Sequence, residues 1–269
     1  MKLLKITAEE GEGLDRHFEQ VETAAIETMA PEVIDGETDV KFNGSSVTEY
    51  DAAFAQIPKE NAVFGRVLLE MLEEQGLALN YPSTGFFIMA KKNYLYHVLH
   101  QKDIPAPKTV VVAAEKAVRN VEKHLKGPLV ARRFDELKET EKTKIDEVEQ
   151  ISEFAEGLDY AGSMLIFNEY SAGDKYRCLV AGDSVISLKD TSDSWKVGKD
   201  KLKYANPSKE LKETVMETRR KIGTNVAEVV IRGEEVVDVE PNPDLEEYTE
   251  ISGKDAYSLV ADAIKGDSE

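Results

Sequence analysis

The chain has 269 residues, enough for a sizeable core and for one large domain or several small lobes. Its 52 acids against 34 bases leave a net charge of -18, which repels nucleic acid and anionic membrane and excludes a general electrostatic role on either. No apolar run approaches bilayer length, Met1 to Ile6 turns acidic too soon for a signal peptide, and a single cysteine, Cys178, rules out an internal disulfide, so a cytoplasmic protein is expected.

In chain order, the first part is weakly patterned. It offers an acidic run at residues 9–13, a helix expected over residues 15–29 and a strand over residues 51–57. From Asn61 onward Val63, Val67 and Met71 interleave with Phe64, Leu68 and Leu72 at helical spacing, and Gly76 ends that helix. A helix over residues 91–101 stops before Ile104-Pro105-Ala106-Pro107, and a β-branched strand follows at residues 109–112. Val118, Val121 and Leu125 make one helical stripe, closed by Gly127-Pro128, before a short strand at Leu129-Val130-Ala131. Residues 135–149 are mostly charged and are expected as a solvated loop or an exposed helix.

Residues 164–167 read as a buried strand. Residues 176–180 and 185–188 read as a hairpin around Gly182-Asp183. A helix over residues 208–222 has Pro207 near its start. A second hairpin, residues 226–231 with 236–239, turns around Gly233, and a last helix packs through Ala256, Leu259, Val260, Ala263 and Ile264. Helices and hairpins mix without strict strand–helix alternation, which gives an α/β or α+β fold in several lobes. Neither a P-loop nor a dinucleotide fingerprint is present. His97 and His100 share one helix but have no further ligands nearby in sequence, so zinc is not expected.

The second hairpin carries the chemistry. Side chains alternate along a strand, so Asp238 and Glu240 point together, and symmetric pairing about Gly233 places Glu228 opposite Asp238. Like charges facing across strands are destabilising unless a cation sits between them. Three carboxylates of this kind suit magnesium or manganese, with substrate phosphates completing the shell.

The segments Ala90-Lys91-Lys92-Asn93, Ile104 to Thr109, Asn168-Glu169-Tyr170, Tyr176-Arg177-Cys178, Asp193-Ser194-Trp195-Lys196 and Val239-Glu240-Pro241-Asn242-Pro243 follow one another in a telling order. That order resembles the ATP-grasp superfamily, and within it the RimK-type amino-acid ligases, over residues 61–265. The resemblance implies an ATP-grasp fold with a short N-terminal α/β lobe at residues 1–90, a small lobe at 91–163 and a C-terminal lobe with the metal site at 164–269.

It also implies an ATP- and Mg2+-dependent (or Mn2+-dependent) carboxylate–amine ligase working through an acyl phosphate. Lys92 and Arg132 would contact the nucleotide phosphates and Glu169 and Tyr170 would form the adenine hinge. Arg177 and Lys196 would act in catalysis, and Glu228, Asp238 and Glu240 would hold the metal. The carboxylate would belong to an amino acid, a peptide or another small molecule, and a homo-oligomer stays open.

The chain departs from the family pattern in four places. Arg132 stands for a lysine, Lys196 for an arginine and Glu240 for an asparagine. Residues 134–149 lack the glycines of the family's phosphate flap and carry six acids by Glu147. A relative that binds nucleotide or a partner without ligation, or one that transfers phosphate to an alcohol, shares the same motifs.

Overall fold

The computed structural model describes residues 1–7, 13–135, 138–147, 149–156, 163–198 and 201–266. Of the acidic run at residues 9–13, only Gly13 falls within them. The chain starts with β1 (Lys2–Ile6), whose Leu3, Leu4 and Ile6 are fully buried. The helix expected over residues 15–29 does not form. A short helical turn leads instead into β2 (Gln20–Ala24) and β3 (Met29–Ile34). Val21 and Thr23 are β-branched and pair in parallel with β1, while Pro31 cannot continue a helix, so the strand partner overrides the local pattern.

Strand β3 turns through Asp35-Gly36, both with positive φ, into β4 (Glu37–Phe42), which turns again into β5 (Ser45–Ser46), and the three make a small side sheet of order β3-β4-β5, apart from the three larger sheets. β6 (Ala52–Ala55), α1 (Ala62–Glu74) and β7 (Ala78–Leu79) complete a parallel sheet of order β2-β1-β6-β7. All four residues of β6 are buried, as a strand covered on both faces requires. In α1, Leu68, Leu69, Met71 and Leu72 enter the core, but Val63, Phe64 and Val67 remain exposed. The helix forms at the expected spacing, with only one of its apolar faces covered.

After α2 (Ser83–Ala90) and α3 (Lys92–Gln101) comes the second sheet. It holds β8 (Thr109–Val112), α4 (Arg119–His124), β9 (Leu129–Asp135), β10 (Lys138–Ile145), α5 (Glu149–Ala155) and β11 (Ser163–Glu169), with strand order β10-β9-β11-β8. Residues 138–145 are therefore a strand rather than a loop or helix. β10 is an edge strand, where charged side chains reach water and discourage further pairing, so its composition hid its conformation.

The third sheet follows: β12 (Lys175–Ala181), β13 (Ser184–Asp190), β14 (Leu202–Tyr204), α6 (Lys209–Ile222), β15 (Val226–Arg232) and β16 (Glu235–Glu240), in order β14-β13-β12-β15-β16. Ser208 caps α6 by accepting from the Leu211 amide at 3.1 Å, and Gly223 closes it with φ 76°. Helices α7 (Leu245–Ser252) and α8 (Ala256–Gly266) end the chain. One apolar core runs from the first sheet through α1, α2 and α3 to β12 and β15, which fixes the acid-bearing hairpin against the N-terminal half.

Gly233 makes the β15–β16 turn with φ 59°, and a Cβ there would sit 2.4 Å from the Ala172 carbonyl oxygen. Gly233→Ala is expected to cost roughly 2 kcal/mol or more, through strain and backbone collision together. Thermal melts would show this as a lowered Tm, with Gly198→Ala, where a Cβ meets nothing within 4 Å, as the control. An unchanged melt for Gly233→Ala would mean the Ala172 peptide yields freely.

Candidate functional site

The two strands of the acidic hairpin do not pair as symmetry predicted. Glu228 lies opposite Glu240, and Asp238 lies opposite Val230, because the register shifts after Val230 and leaves Val237 without a partner. The bulge turns the Val237 carbonyl toward Tyr96, whose hydroxyl donates to it at 2.7 Å, and toward Arg132 Nη2 at 3.4 Å. Alternation still puts Glu228, Asp238 and Glu240 on one face.

Each carboxylate meets a cation. Lys92, at the start of α3, is buried with its Nζ 2.5 Å from Asp238 Oδ1, 3.1 Å from Glu240 Oε1 and 2.7 Å from the Val239 carbonyl. Arg132 reaches across from β9 and places Nη1 3.0 Å from Asp238 Oδ2. Lys59 forms a further ion pair with Glu240. Burial opposes the charge on Asp238, but Lys92, Arg132, Lys142 and Lys59 outweigh it and hold this carboxyl far below the usual range. Burial likewise opposes the charges on Lys92 and Arg132, yet their acidic neighbours keep both raised.

Glu228 is committed elsewhere. Both its oxygens accept from Arg177, at 3.1 Å from Nε and 2.8 Å from Nη2, and Oε2 also accepts from the Tyr248 hydroxyl at 2.9 Å. Arg177 Nη1 lies 2.6 Å from Glu247 Oε2. Burial raises the Glu228 carboxyl despite the arginine. Cys178, beside Arg177, packs as a small apolar residue, and burial pushes its thiol up to about 12.

Next to this face a cleft of about 430 Å³ opens between the second and third sheets. Four cations line it: Arg132, Lys142, Lys196 and Arg232. Glu169 and Tyr170, at the end of β11, form its other wall. Arg232 stands over the Tyr170 ring, 4.6 Å from its centroid. Arg132 Nε, Asn168 Oδ1 and Arg232 Nε are buried with no hydrogen-bond partner among the described residues, and all three residues line the cleft. Orphaned polar atoms of this kind mark a place for a ligand or ordered water.

The loop carrying Trp195 and Lys196 is pinned from below. Lys175 is buried and donates to the carbonyls of Ser192 and Ser194 at 2.8 and 2.7 Å, beside Asp190 at 3.0 Å. Burial would raise the Asp190 carboxyl, but the amides of Gly198 and Ser192 and the Lys175 ammonium bring it down to about 2.

Of the residues expected from sequence, Arg132, Glu169, Tyr170 and Lys196 share the cleft. Lys92, Asp238 and Glu240 share the adjoining ion-pair cluster, and Arg177 and Glu228 form a separate buried pair. Sequence reasoning missed Lys142, Arg232, Tyr96 and Lys59. Lys142 sits directly across from Arg132 in the β9–β10 ladder, a position visible only once residues 138–145 are read as a strand.

Among the described residues no three His, Cys, Asp or Glu side chains gather as a metal-holding group. Asp238 and Glu240 are nevertheless a pair of hard oxygen donors around one ammonium. That set fits a magnesium ion whose shell is completed by phosphates, and it does not fit an ion held by protein alone.

No protein-family model matches the sequence, and neither does any curated protein. Solved structures do match. The ATP-grasp ligase PsnB, complexed with precursor peptide PsnA2 and AMPPNP, superposes with a TM-score of 0.72 at 15% identity, covering 100% of this chain and 97% of that one. A RimK domain ATP-grasp protein from Sphaerobacter thermophilus gives 0.69 at 17% identity, covering 99% and 100%. D-alanine–D-alanine ligase from Bacillus anthracis, complexed with ATP, gives 0.67 at 14% identity, covering 99% and 96%. The fold is that of the ATP-grasp ligases.

Proposed function

We propose that the protein is an ATP- and magnesium-dependent carboxylate–amine ligase. The observation that carries this reading is the convergence of Arg132, Lys142, Lys196 and Arg232 on one cleft of a chain with net charge -18, beside Asp238 and Glu240. Such a cleft attracts a polyanion that the rest of the surface repels. In the reaction, the substrate carboxylate oxygen bonds to the γ-phosphorus as the bond to the β-phosphate bridge breaks and ADP leaves. The amine then attacks the acyl carbon, inorganic phosphate departs, and the amine loses a proton.

Arg132 and Lys142 would hold the phosphates, with Lys92 bridging them to the carboxylates. Glu169 and Tyr170 would border the base, Arg232 would stack beside it, and Lys196 would neutralise charge on the transferring group. Arg177 is held by Glu228 and Glu247 and would act at the acceptor end. Magnesium bound by Asp238 and Glu240, joined by Glu228 if Arg177 swings away, would offset the phosphate charge. The PsnB complex with a precursor peptide supports a peptide among the candidate substrates, beside an amino acid.

Calorimetric titration with MgATP, followed by assay of ADP release over amino acids and short peptides, tests the reading. Arg132→Ala is expected to weaken MgATP binding by about tenfold or more, the scale of a charge-assisted phosphate contact. No MgATP binding by the unaltered protein would overturn the proposal. Binding without turnover would favour a second reading, a nucleotide-binding protein without ligase activity. The pre-paired state of Asp238 and Glu240 and the glycine-free residues 134–149 are what recommend it.

A further inference from the structure

The exposed apolar residues of α1 are not scattered. Val63, Phe64 and Val67 are 63%, 41% and 47% exposed and lie on one stripe of the helix, and with Pro31 of β3 they line a shallow, open groove. The register of β3 with β4 puts Pro31 and the exposed Val33 on the same face as the buried Met29, so Val33 presents an apolar side chain on the strand face that carries Pro31. Thr38 Oγ1 donates to Glu74 at 3.1 Å, which ties the β3–β4 hairpin to the far end of α1.

β3 is also a sheet edge. Counting back from the two-residue Asp35-Gly36 turn, Ile34 forms a hydrogen-bonded pair with Glu37 and Val33 a non-hydrogen-bonded pair with Thr38. The N–H and C=O of Val33 therefore face the open edge. Pro31, two residues earlier, also faces outward, where a missing N–H breaks no ladder bond. Acids flank the groove: Glu60 lines it, and Glu70 and Glu74 continue the α1 stripe. None of the three is salt-bridged among the described residues.

We propose that this groove docks an extended peptide segment in which apolar side chains alternate with lysine or arginine. The free edge of β3 would pair with its backbone, and the α1 stripe would take the apolar side chains of one face. Glu32, whose side chain lies on the opposite face of β3, would meet the cations of the other, with Glu60, Glu70 and Glu74 meeting cations at the ends of the segment. A second copy of this chain suits the groove poorly, since it brings the same acids and a net charge of -18. Lys59, which pairs with Glu240, directly precedes Glu60, so the groove opens beside the ion-pair cluster. The docking surface does not depend on the nucleotide reading.

Fluorescence anisotropy without nucleotide tests it, using a labelled synthetic peptide of alternating leucine and lysine, with a leucine–glutamate peptide as control. The leucine–lysine peptide is expected to bind. Affinity should fall by about tenfold or more in Phe64→Ser/Val67→Ser, the loss typical of interface anchors, and should fall also in Val33→Pro, which removes one outward N–H. Both variants lie outside the cationic cleft and are expected to keep wild-type MgATP affinity, so either proposal can fail alone. Equal peptide affinity in wild type and variants would overturn this one, as would a wild-type dimer in sedimentation that Phe64→Ser/Val67→Ser dissociates.

Discussion

Asp238→Asn will destabilise the protein by roughly 3–5 kcal/mol, the usual consequence of removing one partner from a buried ion pair. The asparagine keeps the shape but leaves Lys92 and Arg132 facing a neutral group, with both cations buried. For a chain of this size, such a loss lowers Tm by on the order of 10 °C. MgATP affinity should fall further than affinity for metal-free ATP, because Asp238 is one of the two oxygen donors that fit the cation. A Lys92→Met/Asp238→Leu variant separates the roles: it removes one of the two cations together with the carboxylate and should recover part of the stability, Arg132 keeping Glu139 at 3.5 Å, while leaving MgATP binding lost. An Asp238→Asn variant that melts like the wild type would sink the structural half, and equal losses for the two nucleotide forms would sink the functional half.

The pH dependence has a definite sign. The folded Asp238 carboxyl is held below its unfolded value of about 4, so its stabilising contribution is complete above that pH and is lost as pH falls below it. Glu228 runs the other way. Burial raises its folded pKa, so around and above the ordinary carboxylate range it opposes folding, and Arg177 and Tyr248 only partly offset this. The same face thus contains one carboxylate that cations hold ionised and one kept nearer to its neutral form.

What could be read from sequence follows from the range of the forces involved. Strand alternation is local, and it correctly grouped Asp238 with Glu240 and kept Glu228 on their face. Turn chemistry is local too, and Gly182 and Gly233 marked their hairpins. The bulge at Val237 is not local. It depends on Tyr96 and Arg132, each more than 100 positions away, competing for one carbonyl. The cationic partners were hidden for the same reason: Arg132 and Asp238 are 106 residues apart in sequence. In β10 the local signal was misleading, since an edge strand can carry charge on most positions. In α1, periodicity fixed the helix but could not say which stripe would be left open.

Binding of MgATP near pH 8.5 is expected to take up protons, and Lys142 is the reason. Burial and the neighbouring Arg132 push its ammonium down to about 8, so the free protein holds it largely charged at pH 7 and largely neutral above pH 9. A phosphate arriving beside it favours the charged form and returns its pKa toward the ordinary value of about 10.4. Affinity should therefore decline as pH rises from about 8 to 10. Titrations in two buffers of different ionisation enthalpy would report the uptake as a difference in apparent heat. Lys142→Arg should keep binding and abolish the uptake. Lys142→Met should lose both, with affinity at pH 7 down by about tenfold. In the nucleotide-free protein the unfolded chain binds more protons than the folded one between about pH 8 and 10.4, so this residue makes stability rise with pH across that window. MgATP binding with no proton uptake in either buffer would place the phosphates away from β10 and return Lys142 to the role of a cross-strand neighbour of Arg132.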